Sequence, residues 1–260
     1  MNESSPAARS GALRVMTWNL HGLGRPWLAS RGATDAAVGV LRAAEPDVVG
    51  IQERPRGPFG RRRLRVVAAR TGLRVVVGGG AARTTALLAR PDRSVTGARG
   101  LRLRWTPTRT RRGASTARVE GVEVLVVHLG LDAAERAQHL RLLLRRRASG
   151  AWPLVVLGDL NELPGSPSWR ALEAAGLVDA AVGAGPTFPA ARPAHRIDAV
   201  LVGYGLGVTE ARVLDDRAAR AASDHLPVLV DLVLPAPGQA PAQAPGQAPG
   251  QATGQATSRS

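Results

Sequence analysis

Short apolar runs that each end in a polar residue are the feature that most constrains this chain. In VVLGDLN, the apolar residues 155–157 are followed by Asp159 and Asn161. A carboxylate and an amide beside an apolar core cost free energy unless another group binds them. Three further runs end in the same way: LRVMTW in Asn19, DVVGIQ in Glu53, and VEVLVV in His128.

The apolar runs are short and rich in β-branched residues, which predicts strands rather than helices. A helix is predicted over 34–44, ending before Pro46, and a second over 133–147 with Ala133, Ala137, Leu140 and Leu144 on its apolar face. A third covers 169–175 and ends at Gly176. Strands both with and without intervening helices predict an α/β fold with mixed sheets. The predicted strands are 13–18, 47–51, 73–77, 85–89, 122–129, 153–157, 196–202 and 227–234.

The ends of the chain differ in composition from its middle. We predict a disordered leader over 1–12, one domain over 13–234, and a disordered tail over 235–260, where Ala, Pro, Gly and Gln repeat. The absence of cysteine excludes disulfides, thiolate zinc sites and cysteine nucleophiles, and it favours a reducing compartment. The N-terminus has no apolar segment typical of a secretory signal, and no run approaches the ~18 residues of a membrane span. We therefore expect a cytoplasmic protein.

The net charge of +15 comes from 35 arginines without a single lysine. Such a surface attracts phosphate polyanions and anionic membranes, although GC-rich coding also favours arginine. We expect the arginine runs 61–63 and 145–147 to be basic surface that could track a polyanion. Aromatic residues are only 3% of the chain, which disfavours the stacking platforms of single-strand binding proteins.

The polar residues at the strand ends are expected to meet, because strand ends in layered α/β folds converge on one crevice. A fifth strand carries Asp198, and Asp224 and His225 precede the last one. So many carboxylates repel one another unless a cation lies between them. Oxygen ligands without thiolates indicate Mg²⁺ or Mn²⁺, which suits displacement at phosphorus.

Six segments together resemble the endonuclease/exonuclease/phosphatase (DNase I-like) superfamily and occur in its order. The resemblance covers nearly all of 13–234 and implies a four-layer sandwich, with two mixed β-sheets face to face and helices outside. The segments are TWNLHG, EPDVVGIQE, VVHL, LGDLNELPGSPSW, TFPAARPAHRIDAVLV and SDHLPV.

The resemblance also implies a role for each residue of the set. Glu53 would be the main metal ligand, with Asn19 and Asp224 beside the ion. Asp159 would orient or deprotonate the attacking water, and Asn161 would hold a phosphate oxygen. The imidazoles complete the set: His225, with its tautomer fixed by Asp198, would contact the phosphate or act as base, and His128 would lie on the phosphate.

Other basic residues are weaker candidates. Arg112 and Arg118 precede the His128 strand, where family members often present a side chain that contacts phosphate. His21 is expected near the site and His195 in a loop. His139 is expected on the helix surface, where it faces Glu135 one turn away.

The leading functional hypothesis is metal-dependent hydrolysis of a phosphodiester, with nucleic acid as the substrate. The first alternative is a phosphoesterase that acts on a phospholipid headgroup or a small soluble phosphodiester. The second is a catalytically inactive nucleic-acid-binding protein with the same fold. A purely structural role would leave the polar strand ends unexplained.

Overall fold

The computed structural model of the protein describes residues 11–23, 31–146 and 152–235. Apart from residues 11, 12 and 235, the predicted leader and tail lie outside these ranges.

Two six-stranded sheets form the centre of the fold. Within the described ranges, each sheet contains a single parallel pair, β1–β2 in the first and β7–β8 in the second, and its other neighbours are antiparallel. The first sheet has the order β11 (Gly207–Val213), β12 (Val228–Val233), β1 (Ala12–Asn19), β2 (Val48–Gln52), β4 (Ala86–Ala89), β3 (Arg74–Gly78). The second has the order β5 (Val95–Arg102), β6 (Gly113–Val119), β7 (Val122–His128), β8 (Leu154–Asp159), β10 (Asp198–Gly203), β9 (Leu177–Asp179).

The two sheets pack face to face, and side-chain alternation along each strand produces two apolar faces. On β1, Leu13 and Val15 enter the core between the sheets, whereas Met16 and Trp18 face the helices. The sheets approach closely at Gly50, where a Cβ would lie 2.8 Å from the Cβ of Leu157. A larger residue at position 50 would therefore force the sheets apart.

Helices cover the outer face of each sheet and complete the α/β sandwich. On the first sheet, α1 (Arg31–Ala44), α2 (Gly60–Arg70) and α5 (Arg217–Ala222) share one apolar cluster with the strands. On the second, α3 (Ala133–Arg146) and α4 (Pro167–Ala174) do the same. The predicted architecture is confirmed. Within the described ranges, no helix is both long and apolar enough to cross a membrane.

All eight predicted strands and all three predicted helices are present, with ends displaced by a few residues. The prediction missed β5, β6, β9, β11, α2 and α5. Helix α2 was missed because three consecutive arginines hide the spacing of Leu64, Val67 and Ala68, which are buried.

The predicted apolar face of α3 was partly wrong. Leu140 is buried as expected, but Ala133 and Ala137 are exposed. His139, predicted to lie on the surface, is fully buried, with Nε2 3.0 Å from the carbonyl oxygen of Arg104. Hydropathy alone assigns such a polar residue to solvent, whereas the contact of Nε2 with the Arg104 carbonyl compensates for part of its burial; Nδ1 has no partner among the described residues.

Candidate active site

Strand register brings the predicted polar residues to one edge of the sandwich. Asp159, the last residue of β8, lies opposite His128 of β7 on one side and opposite Asp198 of β10 on the other. Asn19 ends β1 in the facing sheet, and its Nδ2 donates a 3.0 Å hydrogen bond to Asp159 Oδ2. The two sheets therefore meet at Asp159.

Asp159 is the buried centre of the cluster, with 1% of its surface exposed. Its Oδ1 accepts a 2.9 Å hydrogen bond from the backbone N–H of Asn161. Asn161 has a left-handed backbone with φ of 51°, a conformation that asparagine tolerates well. Its Nδ2 donates to the carbonyl of Leu129 at 2.8 Å, which ties the loop after β8 to the end of β7.

Asp198 and His225 form a hydrogen-bonded pair beside this centre. His225 Nδ1 lies 2.9 Å from Asp198 Oδ2, which also accepts a 2.6 Å hydrogen bond from Thr187 Oγ1. His225 Nε2 then faces the cluster, 4.0 Å from Asp159 Oδ2. The ring of Phe188 packs against the imidazole with centroids 4.7 Å apart. These contacts fix the orientation of the ring.

The protonation states of this pair follow from burial and neighbouring charge. Burial alone would lower the pKa of His225, but the charge and hydrogen bond of Asp198, with Asp159 and Asp224, raise it to about 9. Burial, with repulsion from Asp198, raises the pKa of Asp159 to about 7. At neutral pH, His225 is therefore charged and Asp159 is close to its titration point.

His128 supplies a second imidazole of different character. Its Nε2 lies 3.6 Å from Asp159 Oδ2 and 4.0 Å from Glu53 Oε1. Burial and the positive charges of Arg112, His225 and Arg56 hold the pKa of His128 well below its usual value, so this imidazole is neutral. Arg112, which directly precedes β6, has Nη1 3.4 Å from the backbone oxygen of His128.

The open side of the cluster is acidic. The side chains of Glu53 and Asp224 are 35% and 42% exposed, and His21 Nδ1 lies 3.1 Å from Asp224 Oδ2 and 3.9 Å from Glu53 Oε2. Among the described residues, the Glu53 carboxylate accepts no hydrogen bond, so both of its oxygens remain available to a ligand.

The donor set fits a hard divalent cation. Asp159, Asp198 and His225 have ligand atoms within 4.8 Å of one another. However, Asp198 Oδ2 is already held by Thr187 and His225, so this trio is better described as a hydrogen-bonded pair beside a carboxylate. The Glu53 oxygens accept no hydrogen bond from the described residues, whereas Asp224 is 42% exposed but already lies 3.1 Å from His21 Nδ1 and accepts a 3.4 Å hydrogen bond from Ser223 Oγ. Oxygen donors of this kind suit Mg²⁺ or Mn²⁺.

The eight residues predicted to act together all lie in this cluster, and Arg112 lies beside it. Arg118 does not: it pairs opposite Glu123, five residues before His128 on β7, and its guanidinium stacks over Trp152 at 4.7 Å. His21 is near the site as expected, and His195 is exposed.

Several supporting residues were missed by the sequence prediction. Thr187 lies in the quoted segment TFPAARPAHRIDAVLV, but nothing in the pattern indicated its bond to Asp198. Ser223 Oγ donates to the backbone oxygen of Asn19 at 2.6 Å, and Trp18 Nε1 donates to that of His225 at 2.9 Å. These hydrogen bonds join the segment before β12 to the end of β1.

The sequence profile described as the endonuclease/exonuclease/phosphatase family matches residues 16–225. The chain belongs to this family. Members of the superfamily hydrolyse phosphoester bonds, which supports a hydrolase activity for this family member. No curated protein matches the sequence.

Solved structures share the fold of this family member at low identity. A family protein from Bacteroides vulgatus is 21% identical, with coverage of 86% of this chain and 99% of its own and a TM-score of 0.70. A mannosyl-6-phosphatase from Bacteroides thetaiotaomicron is 20% identical, covers 85% and 100%, and has a TM-score of 0.70. A family protein from Beutenbergia cavernae is 27% identical, covers 86% and 72%, and has a TM-score of 0.63.

The positions of the two candidate arginines give a matched test. Arg112→Gln is expected to lower kcat/KM for a phosphoester by about 10- to 100-fold, because the predicted charge-assisted contact to phosphate would be lost. Arg118→Gln removes the same charge from the far end of the strand and should change kcat/KM by less than about twofold. Steady-state kinetics of both variants, with melting temperatures as folding controls, check this. Equal effects would contradict a contact specific to Arg112.

Proposed function

We propose that this protein is a divalent-metal-dependent phosphodiesterase that cleaves nucleic acid by in-line attack of water. The observation that carries this proposal is the buried Asp159, which touches Asn19 and lies within 4.0 Å of two imidazoles. A carboxylate so placed, beside accessible acidic oxygens, suits water activation at a phosphorus centre.

The cation would be held on the open side of the cluster. Glu53, Asp224 and the amide of Asn19 are the proposed ligands, with Mg²⁺ as the ion and Mn²⁺ as a substitute. When bound, the ion neutralises charge on the non-bridging phosphate oxygens and on the leaving oxygen.

The charge states of the protein groups determine their proposed roles in activating water and binding phosphate. Asp159 is the proposed base that takes a proton from the attacking water, since a pKa of about 7 suits a base at neutral pH. His225, charged and oriented by Asp198, donates a hydrogen bond to a phosphate oxygen rather than acting as base. Asn161 and neutral His128 would contact the remaining phosphate oxygens. Because water is the nucleophile, no covalent enzyme intermediate forms.

The substrate assignment rests on charge. A net charge of +15 and the approach of Arg112 to the cluster favour a polyanion. A phospholipid headgroup is the second candidate, and exposed apolar side chains on the loops after β2, β7 and β8 favour it: Phe59 is 67% exposed, Leu131 74% and Leu163 46%. A small soluble phosphodiester could be hydrolysed by the same site but would need neither the basic charge nor the exposed apolar side chains.

A substrate panel tests this proposal. Plasmid DNA, RNA, phospholipid vesicles and bis(p-nitrophenyl) phosphate are incubated with the protein in EDTA, in Mg²⁺ and in Mn²⁺. We expect hydrolysis with either ion and none in EDTA, with nucleic acid as the preferred substrate. Preference for vesicles would support the lipid alternative. If the protein bound nucleic acid but cleaved no substrate under any of these conditions, the proposed enzymatic activity would be wrong.

A further inference from the structure

Two guanidinium groups converge on a glycine directly after β3. A Cβ added to Gly79 would lie 3.1 Å from Arg61 Nε and 3.2 Å from Arg54 Nη2. Gly79 also has φ of 86°, in the region that favours glycine. We call Arg54, Arg61 and Gly79 the arginine cradle.

The cradle lacks a counter-charge. Within the described ranges, no carboxylate lies within ion-pair distance of Arg54 or Arg61, whereas arginines elsewhere pair with acids, such as Arg14 with Asp231. Arg54 is half-buried, and its Nε and Nη1 donate hydrogen bonds to the backbone oxygens of Arg83 and Pro55, respectively. Two like charges held together without an acid favour a bound anion.

The surroundings leave room for that anion. Arg61 lies in the first turn of α2, where the helix dipole favours negative charge, yet this turn contains no acidic residue. A cavity of about 440 Å³ opens beside it, lined by Arg61, Arg65, the glycine run 78–80 and the apolar residues Leu64, Val75 and Val76. At Gly80 a Cβ would meet no atom within 4 Å, so a ligand can approach the backbone there.

The cradle adjoins the proposed catalytic groups. Arg54 directly follows Glu53, so their Cα atoms are ~3.8 Å apart. In the first sheet, Asn19 lies opposite Gln52, Ile51 opposite Ala86, and Ala86 opposite Gly78, so the glycine run begins at the same end of the sheet as the candidate site. The cradle therefore lies at the end of the sheet that carries the proposed catalytic groups, although the scissile phosphate itself would be held by other residues.

We propose that the arginine cradle binds a second phosphate of the substrate, one that is not cleaved. This inference rests on the proposed phosphodiesterase function and specifies its substrate: a molecule with at least one phosphate besides the scissile group. The neighbouring phosphodiester of a nucleic-acid strand and the terminal phosphate of a nucleotide share this chemistry.

The test uses two chromogenic substrates that differ by one phosphate: thymidine 5′-(p-nitrophenyl phosphate) and the same compound with a 3′-phosphate. An oligothymidylate provides the strand source. Arg61→Gln is the test variant because its side chain is exposed, and Arg62→Gln is a matched control on the same helix. KM of each variant is measured for both nucleotides in Mg²⁺. Dissociation constants of the same pairs are measured in EDTA, where no hydrolysis is expected.

Arg61→Gln should raise KM and the dissociation constant for the two-phosphate substrate about tenfold, while Arg62→Gln and the one-phosphate substrate stay within about twofold. Weaker binding of the oligothymidylate, with a salt slope reduced by ~1, identifies a strand phosphate as the ligand. An effect confined to the nucleotide identifies a terminal phosphate. If Arg61→Gln and Arg62→Gln had equal effects, or if Arg61→Gln affected both nucleotides equally, the proposal that the cradle binds a second phosphate would be wrong.

The proposed function fails in a different way. In that case the wild-type protein releases no p-nitrophenol from either nucleotide in Mg²⁺. The binding comparison in EDTA still decides whether the cradle selects the additional phosphate.

Discussion

Asp159→Asn is expected to lower kcat for phosphodiester hydrolysis by about 10³-fold while leaving the fold intact. The amide cannot accept a proton from water, so the proposed base is removed. It is nearly isosteric with the carboxylate, and its oxygen can still accept the backbone N–H of Asn161, whereas the hydrogen bond from Asn19 Nδ2 is lost. Single-turnover rates at saturating Mg²⁺, together with circular dichroism, measure both effects.

A carboxylate remote from the cluster provides the control for this variant. Asp35, which is exposed and paired with Arg70, can be changed to Asn without touching the strand ends. Asp35→Asn should keep the wild-type rate within about twofold. If Asp159→Asn retained that rate as well, the role of Asp159 as base would be wrong.

The second large effect is expected at the Asp198–His225 pair. His225→Ala removes the charged donor to phosphate, and we expect kcat to fall by about 10²- to 10³-fold. Asp198→Asn keeps the imidazole but removes the carboxylate that holds Nδ1 at 2.9 Å and raises the pKa of His225. A loss of about 10²-fold is expected there, and the double variant should resemble His225→Ala, because the two residues act as one unit.

His195→Ala is the matched control, since His195 is exposed in a loop. It should leave kcat within about twofold of wild type. The coupling between Asp198 and His225 is the informative quantity. Strictly additive losses in the double variant would show that Asp198 does not act through the imidazole.

The strand ends were predictable from the sequence because apolar runs and their terminal polar residues are local features. Asn19, Glu53, His128 and Asp159 each follow such a run, and the structure brings them to one edge. Their order along the chain and the family resemblance supplied the rest of the set. Strand register, which the local pattern does not encode, explains why Arg118 lies at the opposite end of its strand from the cluster.

Features that depend on distant contacts were not predictable. His139 and Arg136 are polar residues on a helix, yet both are buried, with His139 against Arg104 and Arg136 against Glu162. The arginine run 61–63 indicated only a basic surface. The convergence of Arg61 with Arg54 depends on how α2 packs beside the loop containing Gly79, which hydropathy and spacing do not contain.

The most direct test of the central claim, that these strand ends hold one divalent cation, is anomalous diffraction from crystals soaked in Mn²⁺. The account predicts one strong peak within coordination distance of a Glu53 carboxylate oxygen, between Asn19 and Asp224. The peak should be lost in Glu53→Gln. A peak elsewhere on the molecule, or one that persists unchanged in Glu53→Gln, would contradict the account.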